Sequence, residues 1–169
     1  MTMFDTAQAR SSTRPAGFAM SLVPFRTDAA FAPATGLSLD AQYSTMDRAY
    51  ARRGGWTSGD DVARLLRRRC EQPVSTLARW IVARRIVSFD CHGQTLVPLF
   101  QFDLADMSPR PGVLEVVAQL TDTLDDLALA LWFATANAWL DGETPVDAIA
   151  TDQAAVSRAA LACRLALLE

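Results

Sequence analysis

The sequence predicts a mainly α protein with one β-hairpin, and three observations carry that expectation. Residues 58–83 hold two short amphipathic helical patterns separated by a joint that contains Pro73. Residues 86–102 switch to a β-branched and aromatic composition broken by a single turn. From Pro111 onward, apolar residues recur at helical spacing to the end of the chain. Two helices with a tight joint are a helix-turn-helix candidate, and a hairpin behind them would be a wing. The expected order is therefore a largely disordered arm over 1–45, a winged helix-turn-helix over 46–103, and an all-helical domain over 104–169.

The arm is rich in Ala, Ser, Thr and Pro and shows no sustained period. Its apolar cluster Phe18, Leu22, Val23 and Phe25 is a candidate to dock on the folded part. A short helix is expected from Ala41 to Arg52, stopped by Gly54-Gly55. Ser58 is the expected N-cap of the next helix, with Asp60 and Asp61 in its first turn, where the helix dipole favours acids. That helix places Val62, Leu65, Leu66 and Cys70 on one face and Arg64, Arg67 and Arg68 on the other. Pro73 is expected to close it, because the residue before a proline avoids helical angles. The second helix should run from Ser75 to about Ala83 with Leu77, Trp80 and Ile81 inward, leaving Ser75, Thr76 and Arg79 outside.

The hairpin is read as Ile86–Asp90 and Thr95–Phe102, turning through residues 91–94, with Pro98 suited to an edge strand. Further on, Val113, Val116, Val117 and Leu120 form one stripe. Thr123 and Asp126 have capping-box spacing ahead of a nearly all-apolar helix, Leu127 to Phe133, which should be buried on most sides. Asn137 to Leu140 reads as a short turn stopped by Gly142. Thr144-Pro145 reads as N-cap and N1 of another short helix. The last helix, about Asp152 to Leu168, aligns Val156, Ala159, Ala160, Cys163 and Leu167.

Charge is distributed unevenly. Ten of the sixteen arginines lie between Arg48 and Arg85, giving residues 48–85 a charge of +7, while residues 86–169 carry −9. A net charge of −3 hides these opposed fields, and a basic block facing an acidic one implies a polyanion partner and a second, different one. Every cation is arginine. Three widely spaced cysteines, Cys70, Cys91 and Cys163, fit free buried thiols in a reducing compartment rather than a disulfide framework. No apolar run reaches the roughly 20 residues of a membrane helix, and the N-terminus does not read as a secretory signal. A cytoplasmic protein with no membrane partner is expected.

The helix pair and the basic block coincide. In a helix-turn-helix the start of the second helix enters the major groove, here presenting Ser75, Thr76 and Arg79 to base edges. Arg67, Arg68, Arg84 and Arg85 are placed to neutralise phosphates. The run "DDVARLL", then "VSTLARWI", then a hairpin ending in "VPLFQF", resembles the excisionase-like winged helix-turn-helix over about a quarter of the chain.

Farther along, "LALALWFATANAWLDGETPVDAI" followed by "DQAAVSRAA" is similar to the toxin-binding domain shared by the Xre/MbcA/ParS antitoxin families, over roughly residues 110–165. Trp132, Asn137, Leu140, Gly142, Pro145 and Val156 carry the likeness. Ala136 stands where a proline is common, and the preceding module is excisionase-like rather than Xre-like. The resemblance implies an antitoxin, paired with a RES-domain toxin that destroys NAD, and points to Trp132, Asn137, Leu140, Gly142 and Pro145 as toxin-binding residues. Trp139 and Leu140, in a short turn, are the expected apolar anchors, and Asp141 and Glu143 the acids suited to a cationic toxin mouth.

The enzyme class finds no foothold. Adjacent Cys91 and His92 in an extended turn should point opposite ways and hold no metal together. The acid pairs Asp125-Asp126 and Asp103/Asp106 have no second catalytic group or phosphate loop beside them. The expectation is a non-enzyme without cofactor or metal: an antitoxin-like regulator that binds duplex DNA and a partner toxin, represses its own operon, and dimerises through the C-terminal domain. The alternative is a stand-alone helix-turn-helix transcriptional regulator whose helical domain only dimerises.

Overall fold

A computed structural model describes residues 37–168, so the expected docking of Phe18, Leu22, Val23 and Phe25 lies outside the described residues. The protein is mainly helical with a small antiparallel sheet. The first helix, α1 (Leu39–Ala51), starts under Ser38, whose side chain accepts from the Ala41 N–H. A boundary at residue 45 thus falls inside a helix. Gly54 and Gly55, at φ +96° and +71°, let the chain reverse after it, and the Gly55 N–H returns to the Tyr50 carbonyl at 2.9 Å.

A strand the sequence reading missed follows: β1 (Trp56–Ser58). It is three residues long, too short for a period to register. Then come α2 (Gly59–Leu66), capped by Ser58 as expected, and α3 (Pro73–Val82). The joint differs from expectation. Helix α2 already ends at Leu66, and Pro73 opens α3 at its first turn, where a missing N–H costs nothing. Leu65, expected inward, is 45% exposed.

The hairpin is β2 (Phe89–Cys91) and β3 (Gln94–Pro98), shorter than read at the open end and one residue longer on each strand at the turn. His92 and Gly93, both at positive φ, make the two-residue turn that suits the twist of paired strands. β3 lies in the middle of a three-stranded sheet ordered β1-β3-β2. Pro98 therefore sits not on an edge but at the last position of the central strand, opposite Trp56. Leu99–Gln101 forms a 3-10 turn, and β4 (Phe102–Asp103) pairs with β5 (Ser108–Pro109).

Four helices complete the chain: α4 (Pro111–Leu120), α5 (Asp126–Ala134), α6 (Pro145–Ala148) and α7 (Gln153–Leu167). The N-cap of α5 is Asp125, which accepts from the Ala128 N–H at 2.7 Å. Thr123, expected to cap, instead donates back to the Leu120 carbonyl. Val113, Val116, Val117 and Leu120 are buried against their own chain, with α4 packed on α7. That stripe is core, and it leaves no apolar face of α4 for the expected dimer contact.

The boundary expected at 103/104 does not separate two cores either. One cluster joins Met46 and Tyr50 of α1, Val87, Phe89 and Phe100 to the buried residues of α4–α7. An aromatic chain crosses it: Trp132 meets Phe133, Phe133 meets Phe100, and Phe100 stacks on Tyr50 at 5.4 Å. It continues from Tyr50 to Trp56, Phe89 and Tyr43. The Tyr50 hydroxyl donates to the Ala130 carbonyl at 2.6 Å, and burial pushes its pKa far above the ordinary phenol value. A second cluster holds Val62, Ala63 and Leu66 of α2, Leu77 of α3, and Ile86, Val97, Phe102 and Met107.

Gln101 fastens the seam between the clusters. Its amide oxygen accepts from the Val87 N–H at 2.7 Å, and its amide nitrogen donates to the Val87 and Pro98 carbonyls at 2.8 Å each. A side chain here satisfies backbone groups that no strand reaches.

Candidate nucleic-acid interface

The face of α3 away from the core is set by its sequence. Leu77 is buried and Trp80 and Ile81 are half-buried, which turns Val74, Ser75, Ala78, Arg79 and Val82 to solvent. Thr76 is half-buried at the margin and takes a long 3.5 Å contact from Arg79 Nη2. A groove beside the helix is lined by Ser58, Asp60 and Ala63 at the start of α2, by Val74 and Ala78 of α3, and by Gly93 to Thr95. The hairpin tip thus lies next to α3. On the opposite flank, Arg79, Val82 and Arg85 share a second depression.

Four arginines expected at the interface remain exposed: Arg67 and Arg68 in the turn after α2, Arg79 on α3, and Arg85 after it. None of them forms an ion pair among the described residues. Arg84 is the correction. At φ +48° its backbone turns the side chain toward the C-terminal helices. Its Nε donates to Asp126 Oδ1 at 2.9 Å, Nη2 to the Leu124 carbonyl at 2.6 Å, and Nη1 to the Thr121 carbonyl. Thr121 is the C-cap of α4, so Arg84 supplies the donor that a helix end lacks. A guanidinium so engaged is a clamp between the sheet-bearing half and the helical half, not a phosphate contact. Arg53 makes a second such tie, to Asp147 Oδ1 at 3.0 Å.

Two further arginines of the basic block are engaged within the chain. Arg64 pairs with Asp61, and Arg69 donates to the Ala105 carbonyl. Hydrogen bonds from Ser58 and then Thr57 hold the Asp61 carboxyl below its usual range, with Arg64 adding to them.

The hairpin tip also departs from expectation. Cys91 Sγ and His92 Nδ1 lie 3.2 Å apart. Alternation of side chains holds in extended backbone, and His92 at φ +53° is left-handed instead. Among the described residues no group of three or more His, Cys, Asp or Glu could hold a metal ion. The three cysteines are free, with only Cys163 fully buried. Burial pushes the Cys163 thiol up to about 11, and the Trp132 indole N–H beside it offsets part of that.

The residues expected at a toxin surface divide by burial. Trp132 is fully buried, and Asn137, Leu140 and Pro145 are also inside. Asn137 organises the turn: its side chain accepts from the Trp139 N–H at 2.9 Å, and its carbonyl from the Gly142 and Leu140 N–H groups. That closes a 3-10 turn, Ala138–Leu140, which Asp141 and Gly142 leave at φ +54° and +87°. Trp139, 46% exposed, and the exposed Asp141, Gly142 and Glu143 are what this turn presents outward. Sequence reasoning missed the exposed leucines Leu161 and Leu165 on one side of α7 and Leu168 at its C-cap. Their spacing of four and three residues was the available signal.

No helix among the described residues is long and apolar enough to cross a membrane. The chain matches no family model, no curated protein and no solved structure.

Proposed function

We propose that this chain is an antitoxin-like, DNA-binding regulator that neutralises a partner toxin and represses its own operon. The observation that carries the DNA half is topological. The order α1-β1-α2-α3-β2-β3, with sheet order β1-β3-β2, is the arrangement a winged helix-turn-helix needs. It leaves α3 outward, the hairpin tip beside it, and Arg67, Arg68, Arg79 and Arg85 without ion pairs among the described residues.

In this reading α3 enters the major groove, Arg79 reads a guanine, and Arg67, Arg68 and Arg85 face phosphates. The test uses the full chain and duplex DNA. Arg79→Ala should cost about 1–3 kcal/mol on the preferred sequence and relax base preference. Arg67→Ala should weaken binding evenly across sequences and lower the salt slope by about 1. A folded full-length protein that retards no duplex at low salt would sink the reading.

The protein-binding half is supported by the turn after α5. Trp139 offers apolar area on a short rigid turn, and Asp141 and Glu143 beside it are suited to a cationic surface such as a RES-type toxin needs for the phosphates of NAD. Charge of this kind mainly sets association rate, whereas an aromatic anchor sets dissociation. Trp139→Ala should therefore speed release of the cognate toxin by roughly 10-fold or more. Replacing Asp141 and Glu143 by Asn and Gln should slow association instead. A folded Trp139→Ala protein that releases the toxin at the wild-type rate removes Trp139 from the contact.

A further inference from the structure

The outward face of α3 is unusual in its chemistry for a helix so close to a cluster of cations. At 3.6 residues per turn, Val74, Ser75, Ala78, Arg79 and Val82 fall within about 140° of its circumference. Val82 is 83% exposed and Val74 66% exposed. At the centre of this arc stand Ser75, Ala78 and Val82, all short side chains, so the backbone itself can approach a surface closely. Arg79 is the single long polar side chain among the five. The face as a whole is an apolar strip with one guanidinium.

An apolar strip needs an occupant, and charge chooses it. Arg67, Arg68 and Arg85 flank the helix, they and Arg79 are exposed and make no ion pair among the described residues, and Asp60 is the carboxylate that lines the neighbouring groove. A surrounding of cations fits a polyphosphate better than it fits an apolar protein patch. Within the major groove the apolar group on offer is the C5 methyl of thymine, and the acceptor pair for a guanidinium is guanine O6 and N7. Along the axis Val74 and Val82 are about 12 Å apart, at 1.5 Å per residue, with Arg79 between them. That span covers about four base pairs at 3.4 Å per step.

Resting on the reading of α3 as the groove-entering helix, we propose that it reads thymine methyls, through Val74 and Val82, on either side of a guanine read by Arg79. Specificity then comes from shape and methyl contact at two positions and from hydrogen bonding at one. The preferred half-site should contain guanine with thymine within about four base pairs.

The test is a selection of duplexes from a random-sequence pool with the full-length protein. The enriched duplex is then remade with deoxyuridine for thymidine, which removes the C5 methyl and leaves the pairing edge unchanged. Each contacted methyl should be worth about fourfold in affinity. Val82→Ala should erase the difference between thymidine and deoxyuridine at one position, and Val74→Ala at the other. Both side chains are exposed, so circular dichroism should be unchanged. Retarded duplexes that bind thymidine and deoxyuridine alike overturn the methyl readout while leaving DNA binding intact. No retarded duplex at low salt overturns the DNA reading itself, and this proposal with it. A Val82→Arg protein with altered solution mass and unaltered DNA affinity would assign the strip to a protein partner and overturn the proposal.

Discussion

A fragment ending at Asp103 is expected to show no cooperative unfolding transition, although it contains every element of the proposed DNA-binding unit. Without α4–α7, the buried side chains Met46, Tyr50, Val87, Phe89 and Phe100 lose the partners that enclose them. Burying a side chain of this size contributes about 1.5–3 kcal/mol, so losing several at once matches the ~5–15 kcal/mol by which a domain is stable. The polar ties fail together with the apolar ones. Tyr50 loses the Ala130 carbonyl, Arg53 loses Asp147, and Arg84 loses Asp126, Thr121 and Leu124. Urea titration of residues 37–103, followed by far-ultraviolet circular dichroism, should give a broad drift in place of a sigmoid. A sharp transition with native-like helix content would show that the sheet-bearing half has a sufficient core of its own.

Two tryptophans seven residues apart should respond very differently to truncation. Trp132→Ala is expected to destabilise the protein by about 3–5 kcal/mol, the usual cost of deleting a large buried aromatic side chain and leaving a cavity. Trp132 is fully buried and stands edge-on to Phe133 at 5.1 Å, so its loss opens the aromatic chain at one end. Trp139, nearly half exposed, should cost about 1–2 kcal/mol, within the range of ordinary substitutions. Chemical denaturation of both variants in parallel measures the contrast. Equal losses would mean that Trp139 belongs to the core, and the docking role proposed for it would then fall.

Half of the residues expected at a toxin surface are buried and have no outward surface to offer. Trp132, Asn137, Leu140 and Pro145 are recognisable in sequence because they build the turn: a buried ring, a side-chain cap, a buried leucine and a helix-opening proline. Residues of that kind record a local architecture. The side chains this architecture leaves outside are Trp139, Asp141 and Glu143.

Local signals gave the helices α1 to α7 with modest errors of boundary, because each carries a cap, a stop or a periodic stripe within its own ten or so residues. Ser58, Gly54-Gly55 and Thr144-Pro145 act on their immediate neighbours, so their meaning is legible from spacing alone. The error at Pro73 has the same origin: a proline both ends one helix and opens the next, and only the position of the preceding turn decides between these. β1 was not legible, since three residues become a strand only by pairing with β3, about forty residues later.

The sequence by itself determined the helical class, the hairpin, the stripes that face inward, and the division of charge between a basic and an acidic half. Tertiary structure alone decided how those charges are used and where the core runs. Arg84 and Arg67 are indistinguishable in composition, yet one is spent on the end of α4 and the other remains in solvent. Gln101 reads as an ordinary polar residue until Val87 is brought within 2.7 Å of it. The physical reason is common to both. Short-range backbone preferences are written in neighbouring residues, whereas the partner of a charge or a buried amide is supplied by segments distant in the chain, and only folding brings them together.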